Sequence, residues 1–305
     1  MKRLLVAALL SVFCITCFAQ SSVATNTLLW RISGKNLSRP SYLFGTIHML
    51  CADDIELSDS LKAAISKCDK VYLEIDMDNL FELMGAMQKM KMRNDTTLAD
   101  LLSPKEYETV KAFFKKQNSM LPFSILETYK PMLAASTLMQ SSLDCDNEVA
   151  MEQLVMREAK QNGKGIKGLE SMAYQISIFD SIPYKIQAKQ LLSYVQNYGK
   201  DSSDDKEFQE LTNAYRNQEL SKLEELTKKE DMGIGMDNFT NLLLYNRNTN
   251  WTKKLGDLLP QNSLVIAVGA GHLPGQKGVI NLLRKAGYKV EPVENKMIKR
   301  KEKEI

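Results

Sequence analysis

Apolar positions follow two rhythms along this chain. Towards both ends they form short unbroken runs, and in the middle they recur at helical spacing. Leu28–Ile32 and Tyr42–Thr46 flank Ser-Gly-Lys-Asn and Pro40, and predict a hairpin or two adjacent strands. Lys70–Ile75 and Gly165–Leu169 predict short strands. Ser263–Val268 is the most apolar strand segment, and Tyr288–Val293 predicts the last. Between them, Ser58 caps a helix that runs to about Cys68. Helical regions are predicted over about 79–162 and 172–259. The first contains a capping box, Ser103-Pro-Lys-Glu106, and ends on Asn162-Gly163. A further helix is expected over Gln276–Ala286, stopped by Gly287. Strands at the ends and helices between them predict an α/β fold. Its mixed central sheet would be formed from N- and C-terminal strands, with large helical insertions. No linker rich in Gly, Ser or Pro divides it, so residues 20–305 read as a single domain.

Residues 1–19 change the picture of where the chain works. Lys2 and Arg3 precede an apolar stretch, Leu4–Phe18, too short to span a bilayer, and Cys17-Phe18-Ala19 gives a cleavage pattern before Gln20. The expectation is an exported protein, periplasmic or secreted, with no stable membrane insertion after cleavage. An uncleaved anchor and lipidation at Cys17 are the alternatives; Thr16 is a poor neighbour for a lipid-modified cysteine. Removing Lys2 and Arg3 leaves 38 basic against 37 acidic residues, a net of +1. That balance points to no nucleic-acid partner. The basic tail Lys296–Lys303 reads as a solvated end. Cys51, Cys68 and Cys145 remain, too few for a disulfide scaffold. One pair in an oxidising compartment, of undetermined partners, and three half-buried thiols are both open.

The chemistry centres on the chain's two histidines. Each ends a Gly-x-x-His directly after an apolar run: Gly45-Thr-Ile-His48 and Gly269-Ala-Gly-His272. Gly45, Gly269 and Gly271 would allow a sharp turn and close approach of a ligand to bare backbone. Backbone N–H groups from Gly269 to Leu273 are candidates to hold an anionic group or oxyanion. Glu74 and Glu170 each close a predicted strand, where a charge needs a partner. Ligands gather beyond the carboxyl ends of strands in α/β sheets, so His48, Glu74, Glu170 and His272 are expected at one edge. Glu170 as a cap of the following helix, and Glu74 as an ordinary strand-end charge, are the plainer readings. Asp76 reads as solvated, and Arg247 as one arginine in a polar, asparagine-rich turn with a surface role. Two imidazoles and a carboxylate suit a divalent transition metal, with a position left for water. No Gly-x-Ser-x-Gly is present and no cysteine adjoins a histidine, so serine and cysteine nucleophiles are unsupported.

These residues resemble the TraB/GumN family, whose animal relatives are the Tiki proteins. The matching stretches are Leu29-Trp-Arg-Ile, Tyr42-Leu-Phe-Gly-Thr-Ile-His48 and Val71-Tyr-Leu-Glu74. Further on come Gly168-Leu-Glu170 with Gln175, Tyr245-Asn-Arg-Asn248 with Trp251, and Val268-Gly-Ala-Gly-His-Leu-Pro-Gly275 leading to Gly287-Tyr-Lys-Val290. The resemblance implies a fold shared with erythromycin-esterase-like and haem-binding ChaN-like proteins. It also implies metal-dependent proteolysis of a peptide or protein substrate, with His48, His272 and Glu74 on a Mn, Co or Zn ion. Glu170 or Glu74 would then carry the proton, and Arg247 would hold a carboxylate or oxyanion in a bidentate fork. Two competing functions are metal-free hydrolysis with His48 as general base, and capture of haem or metal without turnover.

Overall fold

The computed structural model describes residues 26–52, 56–117, 121–139, 145, 147–198, 203–229 and 236–297. The segment read as an export signal lies outside the described residues, as does most of the basic tail.

Eight strands are described: β1 Leu29–Ser33, β2 Ser41–Thr46, β3 Leu50–Cys51, β4 Lys70–Leu73, β5 Glu148–Val149, β6 Gly165–Gly168, β7 Leu264–Gly269 and β8 Lys289–Val293. Six of them form one sheet in the order β6-β4-β7-β2-β1-β8. β4 pairs in parallel with β6 and β7, and β7 with β2, whereas β1 is antiparallel to both β2 and β8. The sheet is therefore mixed, and strands from both ends of the chain meet in it, as the apolar pattern predicts. β3 and β5 form a separate antiparallel pair. The chain is α/β.

Helices cover both faces of the sheet, which is why its strands are apolar without a break. Alternate residues serve alternate faces. Phe44, Val71, Leu73, Val265 and Ala267 pack with Leu61, Ile65, Val155 and Tyr215 from helices on one side. Leu43, Tyr72, Leu264, Ile266 and Val268 pack with Trp251, Leu255, Ile280 and Leu283 on the other. A third cluster, which includes Leu98, Val110, Phe114, Leu126, Ala188 and Leu191, is made by inserted helices alone.

Local signals act where the sequence places them. The Ser58 side chain accepts from Leu61 N–H and starts the helix Asp59–Lys67. The Ser103–Glu106 capping box starts Pro104–Lys116. Gly163 takes a positive φ of 65° beyond the helix Met151–Gln161. The first helical region is broken into several helices and interrupted by β5. The last helix is shorter than expected, Val279–Lys285.

Cys51 and Cys145 are joined by a disulfide across 94 positions, and Cys68 is free and buried. The bridge closes a long loop, so its removal should release substantial chain entropy in the unfolded state. Cys51→Ser is expected to lower stability by about 2–4 kcal/mol. Denaturant titration of the variant beside oxidised and reduced wild type checks this; a midpoint unchanged from oxidised wild type counts against it.

Candidate active site

The four parallel strands β6, β4, β7 and β2 end at one edge, and each is followed by a polar residue singled out in the sequence. In sheet order these are Glu170, Glu74, His272 and His48. Register brings the ends level: Leu73 pairs with Gly168 and Ala267, and Thr46 with Gly269. Neighbouring strands lie about 4.8 Å apart, so four consecutive ends place their loops within reach of one another.

Three of the four meet directly, and Arg247 joins them. Its Nη2 binds Glu74 Oε2 and lies 2.7 Å from Glu170 Oε1. Its Nε donates to Glu170 Oε1 at 2.9 Å. Its Nη1 donates to the Leu243 carbonyl at 2.8 Å and lies 3.2 Å from His272 Nε2. Gly269 N–H donates to Glu74 Oε1 at 2.7 Å, and the Gln175 amide donates to Oε2 at 3.0 Å. Trp251 Nε1 donates to Glu170 Oε2 at 2.9 Å. All four charged or titratable groups are buried.

The network assigns the tautomer of His272. Asn248 gives its amide N–H to the Lys277 carbonyl at 2.9 Å, which turns Oδ1 towards the ring, 2.6 Å from Nδ1. Nδ1 therefore carries the hydrogen, and the Nε2 lone pair faces Arg247 and Glu74 Oε1, the latter 3.7 Å away. Burial lowers the His272 pKa to about 3, so the ring is neutral. Burial also pushes Glu74 upward, but positive charge on His272, Arg247 and His48 and the Gly269 N–H outweigh it and bring the carboxyl to about 2. At neutral pH His272 is uncharged, so Arg247, His48 and the Gly269 N–H keep Glu74 ionised. Burial dominates at Glu170 and raises it despite Arg247.

His48 stands apart. Its side chain is 74% exposed and its Nδ1 lies 2.9 Å from Glu152 Oε1. That hydrogen bond raises the imidazole to about 9. Glu152 is buried at 7% exposure, and the same Oε1 accepts from Thr46 Oγ1 at 2.6 Å. Among the described residues its Oε2 has no hydrogen-bond partner.

Several expectations need correction. Arg247 lies in the helix Asn246–Leu258, not in a turn, and is 5% exposed rather than superficial. A π-helical turn, Asn241–Tyr245, precedes it, and the Leu243 carbonyl there accepts from the guanidinium. Asp76 is buried at 8% exposure, not solvated. Ser171, not Glu170, caps the helix Met172–Ile178. Gly45, Gly269 and Gly271 have no positive φ. Each instead makes room for the protein's own atoms: Leu28 and Ala270 beside Gly45, Glu74 beside Gly269, Thr227 beside Gly271. The Gly269 N–H, a candidate for a ligand's oxyanion, is engaged by Glu74.

Glu152, Asn248 and Trp251 were not singled out for these contacts by sequence reasoning. A signal existed. Met151, Glu152, Val155, Met156 and Ala159 form one buried stripe, as do Arg247, Asn248, Trp251 and Leu255. A charge in register with an apolar stripe marks an inward polar group.

The donor set fits a divalent transition ion in kind: the ionised Glu74 carboxylate and the neutral imidazole of His272 are donors that such an ion takes. The 3.7 Å between His272 Nε2 and Glu74 Oε1 is close to the about 3.4 Å that two ligands of a tetrahedral ion keep. Among the described residues no three His, Cys, Asp or Glu side chains are arranged together for a metal, and His48 is turned to Glu152.

The titrations set a pH optimum for stability in chelator-treated protein. His272 moves from 6.5 to about 3 on folding and Glu74 from 4.5 to about 2. In both windows the unfolded chain binds more protons, so stability is lost as pH falls. His48 moves from 6.5 to about 9, so its contribution is complete below 6.5 and is lost as pH rises to 9. Its exposure makes that contribution small. The melting midpoint should be highest near neutral pH and fall more steeply on the acid side; a flat profile from pH 7 to 4 would contradict this.

A metalloprotease TIKI2 of Danio rerio is 22% identical over 87% of this chain and 61% of its own length. A metalloprotease TIKI homolog of Amphimedon queenslandica is 23% identical over 88% of this chain and 62% of its own. Another, of Nematostella vectensis, is 22% identical over 88% and 67%. The chain thus spans about three fifths of the length of the first two relatives. No solved structure matches it. Among the described residues no helix is long and apolar enough to cross a membrane. The model of the TraB/PrgY/gumN family matches residues 28–292, nearly the whole of the chain that carries the strands and the strand-end residues described above, and the chain belongs to that family.

Proposed function

We propose that this chain is an exported, metal-dependent hydrolase, a peptidase acting on peptide or protein substrates. The observation that carries the reading is the buried group at the strand ends: Glu74 and Glu170 around Arg247, with a neutral His272 whose Nε2 lone pair faces Glu74. The relatives named metalloproteases support the same chemistry. The parallel block β6-β4-β7-β2, with its site beyond the strand ends, supports the finer fold assignment to the erythromycin-esterase/ChaN type. Residues 1–19 remain the proposed export signal, and residues 20–305 the proposed single domain.

His272, Glu74 and His48 would hold the ion. When bound, Mn, Co or Zn supplies a Lewis acid and an acidified water. Asn248 orients His272, and Arg247 keeps Glu74 a permanent anion. The two carboxylates are pushed in opposite directions, Glu74 down and Glu170 up, and such a split separates a fixed anion from a proton carrier. Glu170 is therefore assigned proton transfer at its carboxyl oxygens, and Arg247 the charge that develops on the substrate. His48, exposed at the edge, is the group a substrate meets from solvent.

Metal-free hydrolysis is the second reading. It is favoured by the guanidinium of Arg247, which lies against His272 Nε2 where an ion would compete with it. Metal analysis of the purified protein, with a peptide library assayed with and without chelator, separates the two. Chelation is expected to abolish hydrolysis and added Mn, Co or Zn to restore it. Full hydrolysis by metal-free protein would overturn the first reading in favour of the second.

A further inference from the structure

We infer that Glu152 is the positioning residue of His48, gripping the imidazole at Nδ1 so that Nε2 is the atom left for a ligand. The ligand rests on the metal-centred reading above; the grip does not.

The two residues sit on segments fastened to each other. β3 follows His48 and pairs with β5, which leads into the helix that carries Glu152. The Cys51–Cys145 disulfide ties the same segments. Met151 N–H donates to the Ile47 carbonyl at 3.0 Å, joining the immediate neighbours of Glu152 and His48. Backbone alone thus brings the carboxylate to the ring, and Thr46 Oγ1 donates to the same oxygen, fixing its direction.

An ordinary surface ion pair does not account for this arrangement. The imidazole is mostly exposed and would keep its hydration without help. The carboxylate is the buried partner, and its Oε2 has no hydrogen bond among the described residues. A half-satisfied buried carboxylate is costly, and an apolar side chain would continue the stripe of Val155, Met156 and Ala159 at lower cost. Its contact with His48 gives the cost a purpose.

The second histidine repeats the device. His272 is likewise gripped at Nδ1 by Asn248 Oδ1, with its Nε2 turned to the carboxylate cluster, where it lies 3.2 Å from Arg247 Nη1. Ligating histidines are characteristically held in this way, by an acceptor on the nitrogen away from the metal. The acceptors differ as burial requires. His272 lies beside two buried carboxylates and takes a neutral amide, whereas the exposed His48 takes a charged one.

The test compares wild type with Glu152→Ala and Glu152→Gln, using Co2+ alone as the metal probe. Glu152→Ala is expected to weaken Co2+ binding about 10–100-fold. Glu152→Gln, whose amide oxygen still accepts from Nδ1–H, should weaken it less, and it serves if the alanine protein does not fold. A second arm follows the His48 ring in metal-free protein by 15N NMR, with His48→Ala to assign the signal. The hydrogen-bonded Nδ1–H should be present in wild type and lost in Glu152→Ala; in Glu152→Gln it should persist but shift. Unchanged Co2+ affinity in both variants, or an unchanged ring signal in both, overturns the inference. If wild type takes no Co2+, the metal-centred reading fails and the ring signal alone decides the role of Glu152.

Discussion

Arg247→Met is expected to lower the stability of the folded protein by about 3–5 kcal/mol, enough to unfold a marginal domain. The guanidinium makes hydrogen bonds or ion pairs with Glu74, Glu170 and the Leu243 carbonyl, and lies beside His272 Nε2. Methionine fills much of the space but leaves two buried carboxylates facing each other with no cation between them. Glu74 would then lose the charge that opposes burial and would shift upward. Arg247→Lys should fall between the two proteins, because one ammonium cannot reach both carboxylates and the carbonyl in a single geometry. Adding Glu170→Gln to Arg247→Met should recover part of the loss, since it removes one of the stranded charges. Urea midpoints of the four proteins in chelator check the order. An Arg247→Met protein as stable as wild type would mean that the cluster is solvated and that its charges do not depend on each other.

His48→Ala is expected to abolish hydrolysis and lower metal content together, with a loss of stability smaller than that of His272→Ala and confined to the donor it takes from Glu152. The ring is exposed, so its loss leaves no cavity. His272→Ala should abolish the same two properties but destabilise more. That side chain is buried, with its ring centre 4.5 Å from that of Trp251, and its removal opens a hole beside the cluster. The sequence suggests that both histidines contribute ligands more than packing; in the structure His272 is packed, whereas His48 is exposed. Glu170→Gln should retain metal while turnover falls by about two to four orders of magnitude. Hydrolysis rate, metal content and melting midpoint, measured side by side, separate the three outcomes. A fully active His48→Ala protein would remove His48 from the chemistry of either hydrolytic reading.

What was legible in the chain follows from how strands and helices encode burial. A strand buried on both faces is an apolar run, and the residue that ends it stands out. Glu74, Glu170, His48 and His272 were visible for that reason, and the sheet places them at adjacent strand ends. A helix mixes polar and apolar residues on its surface, so a polar residue facing the site resembles one facing water until it is set against the apolar stripe. Arg247 and Glu152 were obscured in this way. Asp76 was obscured differently: nothing near it in sequence reveals that distant segments cover it. The disulfide partners depended on the β3–β5 pairing, which two residues per strand are too short to announce.

The place of β7 in the sheet also sets an order in time. It lies between β4 and β2 and is hydrogen-bonded to both, yet about two hundred residues separate it from either. Closing a loop that long costs entropy before any contact repays it, so the middle of this sheet is slow to form. Until β7 arrives, β2 and β4 have no common neighbour, Glu74 lacks the Gly269 N–H, and His272 is absent. A chain still being made can pair β1 with β2 and β4 with β6, but these two pairs stay apart until β7 joins them. The segment that carries β7 therefore acts as a delay: Glu74 and His272 cannot meet until it has been added.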